Sequence, residues 1–444
     1  MPTIRSKFIL LALAAGIPLA AAVAAGTHPA APSGADPLAA GEQTAAATPS
    51  LAALQTRARE RSPRLAELAA RLAAAREEIA PAGALADPMV EVRLQNMGLD
   101  RWSVGSEPMS MLETGVRQGL PYPGKRAARR AVAAAEAETL AAELAASERE
   151  IAREVAALYA RLFALDRERL LVEQAGELVD LLLATLTSRY AAGEGDQAAL
   201  LAVQLERTGL AERQVEVAGE RAEAEGLLRG LLDLPPGTPI GPVEELPALA
   251  PLPAGIAEAA ARLAPEVAVR RAEAEIARRG EELARLDLKP DFSLAAGLGW
   301  RGDDDPALML GFGVELPFWR KSRQEPLARA AGHRAAAARE ARRAAELAAR
   351  AEAERLLGAW WRAGEQLRLL DEALLPQSAA AFDAARSAYL HTRGDFAPVV
   401  ESANRWLDAR VRRTRLAAEQ LTVRAALAAL LDEPIPPATE GGRP

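Results

Sequence analysis

The side chains in this sequence best suited to ligand chemistry are thioethers. Met89, Met97, Met109 and Met111 fall within one short stretch and make up four of the chain's six methionines. Thioether sulfur suits soft ions such as Cu(I). The competing reading is packing, because all four stand in or beside segments of strand-like alternation, where methionine fills apolar space. Met109 and Met111 are the metal candidates. Asp303, Asp304 and Asp305 could hold a divalent cation, but as a surface run they read first as a solvated turn. His28, His333 and His391 are too scattered to form a metal site. The stretch GLGWRG at 297–302 spells G-x-G-x-x-G, yet a dinucleotide site needs a helix directly after it, and DDDP follows instead. No Ser-His-Asp set or carboxylate pair stands out, and the acids are spread along helical segments as solvated charge. These features argue against an enzyme and call for no cofactor.

The elements carrying these residues are of two kinds. Runs with period-two alternation read as strands. Val90, Val92 and Leu94 alternate with Glu91, Arg93 and Gln95, and the return run places Leu112, Thr114 and Val116 against Glu113, Gly115 and Arg117. Phe292, Leu294, Ala296, Leu298 and Trp300 form a third stripe, and Leu308, Leu310, Phe312, Val314 and Leu316 a fourth. Each is roughly nine to twelve residues, the length that crosses a bilayer when tilted. The other elements are long helices. No proline interrupts 125–190, where Leu140, Leu144, Ile151, Val155, Leu158, Leu162 and Leu165 recur at threes and fours. Such a helix is on the order of 100 Å long. The counterpart at 325–389 contains Pro376, which predicts a kink or a division into two stacked pieces.

The order of elements occurs twice. Pro63 and Pro88 flank a helical segment ahead of MVEVRLQ, and Pro265 and Pro290 flank one of equal length ahead of DFSLAAGLGW. SRYAAGEGDQ at 188 and LLDLP ending at Pro235 recur at one common offset as SAYLHTRGDF at 387 and LLDEP ending at Pro434. The predicted organisation is a signal peptide at 1–25 and a flexible segment at 26–50. A first repeat at 51–234, with its β-hairpin at 88–121, is joined by a Pro-rich linker at 235–254 to a second. The second repeat spans 255–434, with its hairpin at 290–317, and a tail occupies 435–444. The signal reading rests on Arg5 and Lys7, the apolar run from Phe8 to Ala22, and the small residues Ala22 to Ala24. With no cysteine in 444 residues, there is no disulfide and no cysteine for lipid attachment. A net charge of −7 and only 4% aromatic residues exclude a nucleic-acid surface.

Between strand and long helix stand GLPYPGKRAARR and ELPFWRKSR. Pro121, Pro123 and Gly124 end the strand, and Lys125 and Arg126 follow; in the second repeat Pro317 precedes Trp319, Arg320 and Lys321. These basic residues are placed to meet phospholipid head groups at the rim of a membrane sheet. Strand edges left open in hydrocarbon cost several kcal/mol per unsatisfied group, so a four-stranded membrane sheet must close with other copies. Three chains give twelve strands. The fold expected is mainly α with a membrane β-barrel contribution: a tandem-duplicated unit whose coiled-coil helices build an α-barrel below four transmembrane strands per chain.

With that order of elements, the strand ends LPYPGKR and ELPFWRK, and LLPQSAAAFDAARSAYLHTRGDF, residues 51–434 resemble the TolC family of trimeric outer-membrane efflux ducts. DPMVEVRLQNMGLD followed by PMSMLETGVRQGLPYPGKR is similar to the branch serving heavy-metal pumps. The resemblance implies an outer-membrane exit duct of a tripartite pump in a Gram-negative bacterium, trimeric and set in outer-membrane lipid. It also implies two partners, a periplasmic adaptor and an inner-membrane transporter of resistance-nodulation-division type. It further implies an aperture at the helical tips, 190–197 and 389–396. Asp196 and Asp395 are its candidate acids, although each can simply cap the helix that follows. Glu401 matches the position of a family acid, whereas Pro398 and Thr392 depart from the family pattern. A periplasmic helical scaffold or adaptor is the alternative reading, and it leaves the duplicated membrane-length hairpins without a purpose.

Overall fold

The computed structural model describes residues 50–97, 104, 110–193, 197–301, 306–392 and 396–431. The first repeat begins with two helices, α1 (Leu51–Arg61) and α2 (Pro63–Ala82). Ser50 and Ser62 open them, each accepting a hydrogen bond from a backbone amide three residues on. Pro63 occupies the first turn of α2, where its missing N–H is no loss. The strands β1 (Met89–Gln95) and β2 (Met111–Leu120) follow, then α3 (Lys125–Ala191) and α4 (Gln197–Leu231). The second repeat has α5 (Ile256–Leu263), α6 (Pro265–Leu286), β3 (Asp291–Trp300) and β4 (Ala307–Glu315). It ends with α7 (Gln324–Leu369), α8 (Leu375–Thr392) and α9 (Ala397–Leu431).

Pro376 does not break the helical path. The chain widens into a π turn at Leu370–Leu374, and α8 begins at Leu375, so the proline falls in a first turn that needs no donor from it. At 67 residues, α3 is the spine of the chain. Around it the helices pack in two tiers. Nearer the sheet the order is α2, α3, α6, α7; nearer the tips it is α4, α3, α9, α8. Alanine dominates the buried positions of α7, including Ala335, Ala349, Ala353 and Ala363, which lets neighbouring helices approach closely.

The Pro-rich linker is a fastened strap, not a free spacer. Ile240 and Val243 are buried in the largest core cluster, together with residues of α1, α3, α4 and α9. Val243 donates its amide to Asp166 Oδ2 at 2.9 Å, Arg221 Nη2 reaches the Ile240 carbonyl at 3.2 Å, and Tyr159 Oη donates to the Glu245 carbonyl at 3.2 Å. Asp166 is itself buried and held by Arg221 Nε at 2.6 Å. The four strands form one antiparallel sheet in the order β1-β2-β3-β4, so β1 and β4 are both open edges. Among the described residues no helix is long and apolar enough to cross a membrane.

Candidate functional site

The register separates the sheet into two chemically opposite faces. Val90 pairs with Val116, Val116 with Ala296, and Ala296 with Leu310, so one row crosses all four strands without a polar side chain. The same face carries Val92, Leu94, Leu294, Leu298, Leu308, Phe312 and Val314. These side chains are exposed, Leu310 at 76% and Val90 at 72%. An exposed apolar patch of this extent marks a surface that meets lipid or protein. Thr114 and Gln118 are its polar exceptions, and Gln118 Nε2 is engaged by the Ala86 carbonyl at 2.8 Å.

The opposite face is charged on β1 and β2 and small on β3 and β4. Arg93 bonds Glu91 at 3.1 Å and Glu113 at 3.4 Å, and Arg117 reaches Glu91 at 3.2 Å. Ala295, Gly297, Gly299, Gly311 and Gly313 continue the rows. Gly297 is required where it stands: a Cβ there would lie 2.6 Å from the Thr114 carbonyl oxygen and 3.1 Å from Gly115 Cα. The open space at Gly299 is filled by methyl groups, with Met111 Cε 2.6 Å and Met309 Cε 3.1 Å from where its Cβ would be.

That arrangement bears on the soft-metal candidates. Met111 is a packing residue beside Met309, which the sequence did not single out. Met89 pairs with Arg117 and Met111 with Gln95, at opposite ends of the ladder, about 20 Å apart at strand rise. The methionines of β1 and β2 are therefore not gathered into one site. Met109 and the three aspartates at 303–305 lie outside the described residues. Among the described residues no group of three or more His, Asp or Glu side chains could hold a metal ion. His333, on α7, is exposed.

The strand-to-helix junction corrects one expectation. Lys125 does not face lipid head groups. It is 3% exposed, with Nζ 2.9 Å from Asp291 and donating to the Lys289 carbonyl at 3.2 Å. Asp291 also accepts the Tyr122 amide at 2.7 Å. The charge turns inward because the start of β3 presents a carboxylate and a free carbonyl to it, pinning the two repeats together. Gly124 makes the turn possible with a left-handed φ of 98°. Pro121 and Pro123 lie in the short link after β2, and Arg126 is spent on the Gly83 carbonyl, donating from Nε at 2.8 Å. The second junction is different. Between Pro317 and α7 the chain makes turns that leave Phe318 82% and Trp319 76% exposed. Arg320 pairs with Glu325 at 3.0 Å, and Lys321 is exposed.

At the far end, Asp196 and Asp395 lie outside the described residues. Glu401 is on the exposed face of α9 and pairs with Arg405 at 2.5 Å. Farther up α3, Glu168 is 2% exposed and joins three helices. Its Oε1 accepts from Arg213 Nε and Nη2 at 3.0 and 2.9 Å, and its Oε2 accepts from Arg415 Nη2 at 2.8 Å. Sequence reasoning treated such acids as solvated, because nothing local marks Glu168 apart from its neighbours.

Residues 54–233 match the family model described as outer membrane efflux protein. No curated protein matches the chain in sequence. Several solved structures share its fold. The outer membrane protein VceC of Vibrio cholerae is 18% identical with a TM-score of 0.73, over 87% of this chain and 97% of that one. CusC, in structures concerned with transmembrane channel formation, is 14% identical with a TM-score of 0.73, over 89% of this chain and 95% of its own. The open state of the MtrE outer membrane channel of Neisseria gonorrhoeae is 16% identical with a TM-score of 0.59, covering 87% and 90%. At such identities the likeness is one of fold.

Proposed function

We propose that this chain, whose residues 54–233 match the outer membrane efflux protein family model, is the exit duct of a tripartite efflux pump. The observation that carries the reading is the pair of open edges at every height. β1 and β4 end the sheet, α2 and α7 end the upper helical tier, and α4 and α8 end the lower one. In each tier one edge comes from the first repeat and the other from the second. Head-to-tail association of copies joins unlike edges and closes a ring. Two chains would give eight strands, an interior that side chains fill; three give twelve and a conduit. In that ring the apolar sheet face meets lipid, and the face of Glu91, Arg93, Glu113 and Arg117 lines water. Phe318, Trp319, Arg320 and Lys321 serve as the interfacial anchor of the second repeat.

A duct of this kind does no work, so it requires an energised inner-membrane transporter and an adaptor. We place the adaptor at the tips near 190 and 391 and take the transporter to be of resistance-nodulation-division type. The scaffold reading is disfavoured by the long apolar row across the sheet, which a water-soluble helical bridge would not keep exposed. The deciding measurement is the native mass of the complex extracted from outer membranes in mild detergent. Three copies of a chain of 46.9 kDa, less the signal, are expected; a water-soluble monomer or dimer refutes the duct.

The cargo we infer is heavy-metal ions. This rests on the likeness of 87–100 and 108–126 to the metal branch, with no bound-metal geometry behind it. A strain lacking the protein is expected to lose tolerance of copper, silver or zinc salts and keep its tolerance of dyes and detergents. The reverse pattern would assign organic cargo.

A further inference from the structure

Toward the tips from the Glu168 clamp, α3, α4 and α9 enclose a cavity of 190 Å³. Leu178 and Val179 of α3, Val203 of α4, and Phe396, Val399 and Trp406 beside or on α9 are among its walls. An apolar cavity of about 150 Å³ is enough to take up benzene, so this one has room for a compact ring system. Phe382 stacks on the Trp406 indole at 5.9 Å and fixes that wall in place.

The cavity lining carries charged groups as well as apolar ones. Arg410 is one of them, its guanidinium carbon 4.9 Å from the Trp406 ring centroid. Among the described residues its guanidinium makes one hydrogen bond, from Nη1 to Gln174 Oε1 at 3.4 Å, and no described carboxylate lies within ion-pair distance of it. Partial burial pushes the pKa of Arg410 down. Most arginines of these helices do pair with acids, as Arg207 does with Asp180 and Arg213 with Glu168. The acid that also lines the cavity, Glu206, accepts from Asn404 Nδ2 at 2.9 Å, another lining residue, and makes no ion pair with Arg410. A half-buried cation stacked on an indole, with only a long amide bond, is part of the wall of a mainly apolar chamber.

We propose that this cavity binds a compact aromatic carboxylate, with the ring among the side chains of α3, α4 and α9 and the carboxylate on the Arg410 guanidinium. The ring matches the volume and the aromatic walls, and the carboxylate supplies the fork geometry that a guanidinium prefers. A neutral aromatic would leave the cation as it is. Because the walls come from both repeats, the ligand ties the α3–α4 hairpin to α9. On the duct reading it would resist any relative movement of the two at the tips, whereas the binding itself does not depend on that reading.

The probe is 1-naphthoate, titrated calorimetrically into the purified full-length protein in detergent, with 1-naphthol as its neutral counterpart. Saturable binding of one naphthoate per chain is expected. Arg410→Gln should weaken naphthoate about tenfold, the loss of one charge-assisted hydrogen bond, and leave naphthol unchanged. Ala403→Leu fills the chamber and should abolish both without lowering the melting temperature. Partition into micelles is the same for all three proteins, so it cannot imitate this pattern. Absence of saturable heat overturns the proposal, as does undiminished binding to Ala403→Leu. Equal loss of naphthoate and naphthol in Arg410→Gln overturns the carboxylate assignment.

Discussion

Replacing Leu310 by arginine prevents stable residence in the outer membrane, whereas replacing its neighbour Met309 by lysine is tolerated. Leu310 lies midway along β4, 76% exposed, between Leu308 and Phe312 on the apolar face. If that face meets hydrocarbon, an arginine near the midplane costs about 2–4 kcal/mol per chain. Closing three chains into one barrel repeats the penalty at three points of a single assembly. Met309 points the other way, toward Gly297 and Gly299 and the charged half of the sheet, where a lysine stem can lie along the small residues and its ammonium reach water. The measurement is the fraction of each variant recovered from outer membranes as the full assembly. Equal recovery of the two variants, whether both are high or both low, would remove the argument that the faces differ in solvent.

That contrast also shows what can be read from the sequence. Period-two alternation assigned both faces of all four strands, since side chains in a strand alternate without regard to the rest of the fold. Helix lengths were legible for the same reason, as was a disturbance before Pro376, though its form as a π turn was not. Side-chain destinations were legible only where the destination is local. Lys125 looked like a lipid-facing cation because basic residues cluster after the strand. Its carboxylate, Asp291, is far along the chain in the other repeat, brought adjacent by the pairing of β2 with β3. Glu168 was lost among the many acids of α3 for a similar reason, since Arg415 belongs to the other repeat. The niche at Gly299 needed the register of three strands before Met111 and Met309 could be seen to fill it.

Glu168→Ala loosens the lower helices and leaves the sheet unaffected. The carboxylate is 2% exposed and takes hydrogen bonds from α4 and α9 at once, so its removal leaves Arg415 without its carboxylate and Arg213 with only Asp408, at 3.4 Å. Deleting one partner of a fully buried pair costs about 3–5 kcal/mol. Here the arginine side chains are 29% and 60% exposed and can turn toward water, so we expect a smaller loss, about 1–3 kcal/mol. Glu168→Gln, which keeps an acceptor but not the charge, should fall between. Hydrogen exchange locates the effect. Amides of α3 beyond Leu171, of α4 near Leu210 and of α9 near Leu407 form one core cluster below the clamp and should exchange faster. Amides of the β2–β3 ladder should not change. A uniform increase across both regions would mean that Glu168 supports the whole chain and not the junction of two hairpins. No increase anywhere would mean that both arginines find new partners at no cost. Faster exchange confined to the lower helices would make the clamp the point about which the α3–α4 hairpin and α9 can part, with the chamber below it as the space they part into.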